Sequence, residues 1–104
     1  MIDPPEVRHA APRGFTQAYW HGGAGGAGPV VLVHGWPESK RIFARVFQPL
    51  VDAGFEVVVP DLRGFGDSEV GPPDDPYGDV PTHARDVHAL VSEHLGHASA
   101  VLVG

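Results

Sequence analysis

Val30-Val31-Leu32-Val33-His34-Gly35-Trp36-Pro37-Glu38-Ser39 runs from four apolar residues, three of them β-branched, straight into a turn. An apolar run without polar alternation suits a strand whose sheet is covered on both faces, as a parallel sheet is by its crossover helices. Just downstream, Ile42, Phe43, Val46, Phe47, Leu50 and Val51 recur at helical spacing, and Gly54 supplies a stop. The spacing predicts a helix over 39–53, kinked or restarted at Pro49, whose ring removes a backbone donor. Phe55 to Pro60 repeats the buried-strand composition. Thr82 offers an N-cap for a second helix over 82–95, with Ala84, Val87, Val91 and Leu95 on one face and Gly96 at its end. Ala98 to Val103 then opens a third apolar strand. The order strand, helix, strand, helix, strand is the α/β pattern, with parallel strands over 30–34, 55–60 and 99–103.

Toward the N-terminus, Gly22 to Pro29 is a glycine-rich connector, and Phe15 to His21 reads as an aromatic strand with both faces partly apolar. Residues 1–14 carry three prolines and no periodicity and read as an irregular arm. A length of 104 residues allows one domain. Hydrophobic residues at 42% exclude disorder along the whole chain, while 14 glycines and 11 prolines commit much of it to turns. Thirteen acidic against seven basic side chains leave a charge of -6, which repels phosphate backbones and argues against a nucleic-acid partner. The absence of cysteine removes disulfides, a thiolate nucleophile and any Cys-containing zinc site. The start Met1-Ile2-Asp3-Pro4-Pro5-Glu6 lacks the basic and apolar regions of a signal peptide, and no apolar run approaches a membrane span, so a cytoplasmic, membrane-free protein is expected.

Ligands of open α/β sheets bind beyond the carboxyl ends of the strands, which directs attention to the residues after Val33, Pro60 and Val103. Gly23 to Gly28 matches G-x-G-x-x-G but opens a strand, whereas a pyrophosphate needs a helix N-terminus there. His94 and His97 are three apart with Gly96 between them, and read as exposed histidines near a helix end, not as a metal pair. In His34-Gly35-Trp36-Pro37, Gly35 permits a sharp bend and Pro37 fixes the chain, so the Trp36 amide could face a cavity and stabilise an oxyanion. An ordinary turn with a core tryptophan fits the same residues. In Asp61-Leu62-Arg63-Gly64-Phe65-Gly66-Asp67-Ser68, Gly64 and Gly66 shape a tight loop, and Asp61 and Arg63 are expected to pair at its base in a structural role. Ser68 is not a nucleophile elbow, because G-x-S-x-G would need glycine at Val70.

These two loops, followed by Val101-Leu102-Val103-Gly104, together resemble the N-terminal part of an α/β hydrolase, most closely its epoxide hydrolase branch, over about residues 15–104. The resemblance implies a single, incomplete domain over 1–104: a partial α/β-hydrolase fold with a parallel sheet core and helices on both faces, cut just before the nucleophile elbow. The family order places the strand at 30–34 between the other two, so right-handed crossovers put the helices on opposite faces. The resemblance further implies that Trp36 supplies one oxyanion-hole amide, that His34, Gly35, Trp36 and Pro37 form a substrate-pocket loop, and that the Trp36–Pro37 bond is cis. The nucleophilic Asp or Ser, the later acid and the histidine are expected beyond Gly104, leaving the chain inactive alone. The implied reaction is attack of an Asp carboxylate on an epoxide carbon, giving an alkyl-enzyme ester that a histidine-activated water hydrolyses. Many haloalkane dehalogenases carry Asn where Trp36 stands, which weighs against that activity; a serine esterase shares the scaffold. No metal or cofactor is implied, and the substrate is a small molecule. A non-catalytic ligand- or partner-binding module is the reading from a different class. The open edge of the strand at 99–103 would favour self-association or a complementary chain.

Overall fold

The computed structural model describes residues 5–25 and 28–104. Residues 1–4 of the expected arm, and Gly26 and Ala27 of the glycine connector, lie outside the described residues. Strands β1 (Arg8–Ala10), β2 (Gln17–Gly22), β3 (Val30–Leu32), β4 (Val57–Pro60) and β5 (Val101–Val103) form one sheet in the order β1-β2-β4-β3-β5. β3 runs parallel to β4 and to β5, whereas β2 is antiparallel to β4 and to β1. The sheet is therefore mixed, with the expected parallel core and β3 between its two parallel neighbours.

Helix α1 (Ala44–Asp52) follows a 3-10 turn at Lys40–Phe43. Pro49 is carried inside it without a restart. Helix α2 (Val80–His88) continues as a π-helical stretch, Ala89–His94. Strand alternation sends Val57, Val59 and Leu32 to the face where Phe43 of the 3-10 turn and Phe47, Leu50 and Val51 of α1 pack, and Val31 and Val58 to the face where Val87, Leu90 and Val91 pack. The two helices thus lie on opposite faces, as right-handed crossovers require. β2 is covered on both sides: the Trp20 ring meets Phe47 edge-on at 5.9 Å on one face, and Tyr19 meets His94 at 6.3 Å on the other. That explains its apolar residues in both registers.

Several expectations are corrected. Residues 1–14 are not wholly irregular, because Arg8–Ala10 adds an edge strand to β2. Ile42 in the 3-10 turn and Val46 in α1 belong to the expected apolar face yet are about half exposed. The N-cap of α2 is Asp79, not Thr82: the Asp79 side chain accepts from the Thr82 N–H at 2.9 Å, and Pro81 sits in the first turn, where its missing donor costs nothing. No helix of the described residues is long and apolar enough to cross a membrane.

Candidate functional site

β3 and β4 end side by side, so the turns that leave them meet at one edge of the sheet. From β3 comes His34, 3% exposed, whose ring is held at both nitrogens: Nδ1 donates to the Gly35 carbonyl at 2.8 Å, and Nε2 accepts the Leu62 N–H at 3.0 Å. This pairing makes His34 a neutral brace between the two loops, with its proton on Nδ1. Phe65 closes on it edge-to-face at 5.6 Å. Gly35 and Glu38 complete the turn, the Gly35 N–H donating to Glu38 Oε1 at 3.2 Å and its carbonyl accepting from the Glu38 N–H at 2.9 Å. Gly35 does not use a left-handed φ.

Trp36 is 82% exposed, which removes the core-tryptophan reading. Its bond to Pro37 is cis. Among the described residues, the Trp36 N–H has no hydrogen-bond acceptor. A backbone donor left free at the carboxyl edge of a parallel sheet is available to a ligand. Beside it, between α2 and β5, opens a predominantly apolar concavity of about 1040 Å³, lined among others by His34, Gly35, Trp36, Leu62, Gly64, Phe65, His83, Val87 and Leu102.

The loop after β4 departs from its expected pairing. Asp61 and Arg63 do not bond each other. Arg63 makes a two-point pair with Asp86 of α2, Nε at 2.7 Å and Nη2 at 2.8 Å, and its Nη1 reaches the Asp75 carbonyl at 2.9 Å. Its guanidinium also lies over the Phe15 ring at 4.7 Å. The Asp86 hydrogen bond outweighs burial and holds the Arg63 pKa above its ordinary value. Asp61, fully buried, accepts instead from the Lys40 N–H at 2.8 Å, from Lys40 Nζ, and from the Asp67 N–H at 2.9 Å. Lys40 is also fully buried and spans to Asp67 Oδ2 at 2.7 Å, while Arg41 Nη2 reaches the same oxygen at 2.8 Å. The Lys40 and then the Arg41 hydrogen bonds hold the Asp67 carboxyl below the usual carboxylate range. Gly66 adopts φ +54 directly against Asp61, and a Cβ there would overlap the carboxylate; one at Gly64 would meet the Tyr77 ring.

Of the expected site residues, His34, Gly35, Trp36 and Gly64 line the concavity, whereas Pro37 of the expected pocket loop, Asp61, Arg63 and Gly66 do not. His83 lines it too and was not anticipated. Burial pushes its imidazole below the ordinary value despite nearby Asp86, and its Nδ1 has no partner among the described residues. His97 is not a free surface histidine: at the opposite, amino end of β4, Glu56 Oε2 accepts from His21 at 2.7 Å and from His97 at 2.8 Å. No sequence signal links those three.

The family model described as alpha/beta hydrolase fold matches residues 28–104. The soluble epoxide hydrolase of Corynebacterium sp. (strain C12) is 41% identical over 101 residues, covering 95% of this chain and 33% of the relative. The haloalkane dehalogenase of Bradyrhizobium diazoefficiens is 39% identical over 98 residues, covering 94% of this chain and 30% of the relative. Among solved structures, epoxide hydrolase CorEH without ligand superposes with a TM-score of 0.81 at 37% identity, covering 95% of this chain and 32% of that one. The chain thus spans about a third of the length of the relatives it matches. Sequence and superposition agree over the same strands and loops that build the site, and on that footing the chain belongs to the α/β hydrolase fold family.

Proposed function

We propose that residues 1–104 are one part of a cytoplasmic α/β hydrolase domain of the epoxide hydrolase kind, in which the Trp36 N–H is one of the oxyanion donors. The observation that carries this reading is the unpaired Trp36 N–H at the rim of an apolar concavity large enough for a small apolar substrate. The nucleophile is an Asp beyond Gly104. Its carboxylate oxygen bonds an epoxide carbon, the carbon–oxygen bond of the ring breaks, and the released oxygen takes a proton. A water then gives its proton to a histidine and attacks the ester carbonyl, and the Trp36 N–H holds the negative oxygen of the tetrahedral intermediate; its collapse breaks the ester bond, the leaving oxygen takes the proton from the histidine to free the diol, and the carboxyl gives up its proton and is a carboxylate again. His34 and the loops behind it keep that donor in place, and no metal or cofactor enters the scheme.

The dehalogenase relative gives a second reading. Trp36 disfavours it, since by family resemblance the side chain at this position is often an Asn that serves the halide. The experiment that tests the proposal is to read the coding sequence past the Gly104 codon. The expected continuation is one residue, then Asp, one residue and Gly. A Ser in the place of Asp would move the reading to a serine esterase, and an unrelated continuation would favour a binding module. By itself the 104-residue chain is expected to hydrolyse neither styrene oxide nor p-nitrophenyl acetate above background.

A further inference from the structure

A lysine with no exposed surface is uncommon, and its ammonium needs partners to offset the lost hydration. Lys40 is such a residue, and all of its partners lie on the loop that leaves β4. Its backbone N–H and its Nζ grip the two oxygens of the Asp61 carboxylate, and Nζ continues to Asp67, whose own N–H returns to Asp61 Oδ2 at 2.9 Å. The ammonium also lies 5.5 Å from the centre of the Trp20 ring, which closes the remaining side.

The segment that carries Trp36 is therefore fastened at both ends to two consecutive residues of the β4 terminus. Before Trp36, His34 Nε2 holds the Leu62 N–H at 3.0 Å; after it, the Lys40 N–H and Nζ hold Asp61. Between these anchors the turn has its internal bonds at Gly35 and Glu38, and Ser39 accepts from the Arg41 and Ile42 N–H groups, whereas among the described residues the Trp36 N–H has no acceptor. We infer that Lys40 is a positioning residue for the Trp36 amide, setting the direction of that donor through Asp61. The inference rests on Trp36 being an oxyanion donor for its catalytic meaning, but the loop geometry it asserts can be read without any reaction. It also assigns Asp67 a part: its partly exposed carboxylate, shared with Arg41, holds the outer side of the ammonium.

The chain has two tryptophans, so labelling with 15N-tryptophan gives one backbone amide signal from the ladder of β2 and β4, Trp20, and one from the loop, Trp36. Lys40→Met keeps the length of the side chain and removes the ammonium. The expected result is a displaced Trp36 amide signal beside an unmoved Trp20 amide, with the Trp36 signal restored toward its original position in Lys40→Arg. A Trp36 amide that stays in place in Lys40→Met would overturn the inference, as would a displacement that Lys40→Arg does not reverse. If Lys40→Met loses the Trp20 amide as well, the chain has unfolded and Asp67→Asn decides. Removing the outer carboxylate charge is expected to move Trp36 alone, and an unmoved signal there overturns the inference. Failure of the hydrolase reading would show elsewhere, as an unrelated continuation past Gly104 with the Lys40 effect intact.

Discussion

Replacing Gly66 by alanine concentrates the consequences of this architecture in one methyl group. The backbone at Gly66 has φ +54, where an L-residue costs about 1–2 kcal/mol. The larger effect is on Asp61, because the new Cβ would occupy the space of its carboxylate. Asp61 cannot move without releasing the Lys40 N–H, the Lys40 ammonium and the Asp67 N–H together. Breaking a buried ion pair leaves a charge without compensation and costs about 3–5 kcal/mol. Together the two effects reach roughly 4–7 kcal/mol, a large share of the roughly 5–15 kcal/mol that stabilises a typical domain. Gly54→Ala is the matched control: its φ is +97, but nothing lies within 4 Å of the added Cβ, so only the backbone cost remains. Urea unfolding followed by the fluorescence of Trp20, 1% exposed, at one protein concentration would compare them. With a slope of about 1–3 kcal/mol/M, Gly66→Ala should unfold at least about 1 M below Gly54→Ala, or show no folded baseline at all. Equal midpoints for the two variants would refute the argument that Asp61 is the pivot of the site.

Three further outcomes follow from particular contacts. Val101, Leu102 and Val103 are 61%, 67% and 43% exposed on the outermost parallel strand, so the chain should self-associate in sedimentation velocity, and Leu102→Lys should weaken that association; a monodisperse monomer at all concentrations would contradict this. Asp79→Ala should lower the urea midpoint through loss of the α2 cap, and an unchanged midpoint would contradict that role for Asp79. Burial alone would raise the Glu56 carboxyl, but hydrogen bonds from His21 and His97 outweigh it and hold it below its ordinary value. A carboxyl lowered in the folded state stabilises fully above its unfolded pKa of about 4.3, and that stability is lost as pH falls through the lower folded value. Urea midpoints of Glu56→Gln should therefore fall less steeply than those of the parent below about pH 4, although Asp67 and Asp79 contribute the same sign in both. Parallel acid profiles would contradict the role given to Glu56.

The parallel core was legible because its signals are local. Val30 to Val33 and Val57 to Val59 are apolar without interruption, and such runs have no stable place except between two layers. β1 was not legible, since Arg8-His9-Ala10 is three residues long, exposed at the first two, and strand-like only because β2 lies beside it. The cap of α2 was misplaced by three residues because Pro81 reads as a loop residue although the first turn of a helix accepts proline. Charged pairings were the least legible part. Asp61 and Arg63 are neighbours in sequence, yet they take partners 21 and 23 residues away, Lys40 and Asp86, and only the folded chain brings those together. Lys40 itself carries no sequence mark of burial; it lies in a turn among Ser39 and Arg41, and its enclosure is made entirely by distant carboxylates and Trp20. His34 and Trp36 were legible in position but not in environment, and the exposure of Trp36 removes the core tryptophan without itself assigning a role to its amide.

The most direct test of the account is the contribution of one N–H. In a chimera that carries this chain in place of the matched third of the Corynebacterium soluble epoxide hydrolase, Trp36 can be replaced by its α-hydroxy analogue. That change turns a single backbone amide into an ester and leaves every side chain in place. If the Trp36 N–H holds the oxyanion, kcat for epoxide hydrolysis should fall by about 10²–10³-fold, equivalent to about 2.7–4 kcal/mol. A chimera that turns over epoxide at the same kcat with the ester as with the amide would contradict the account.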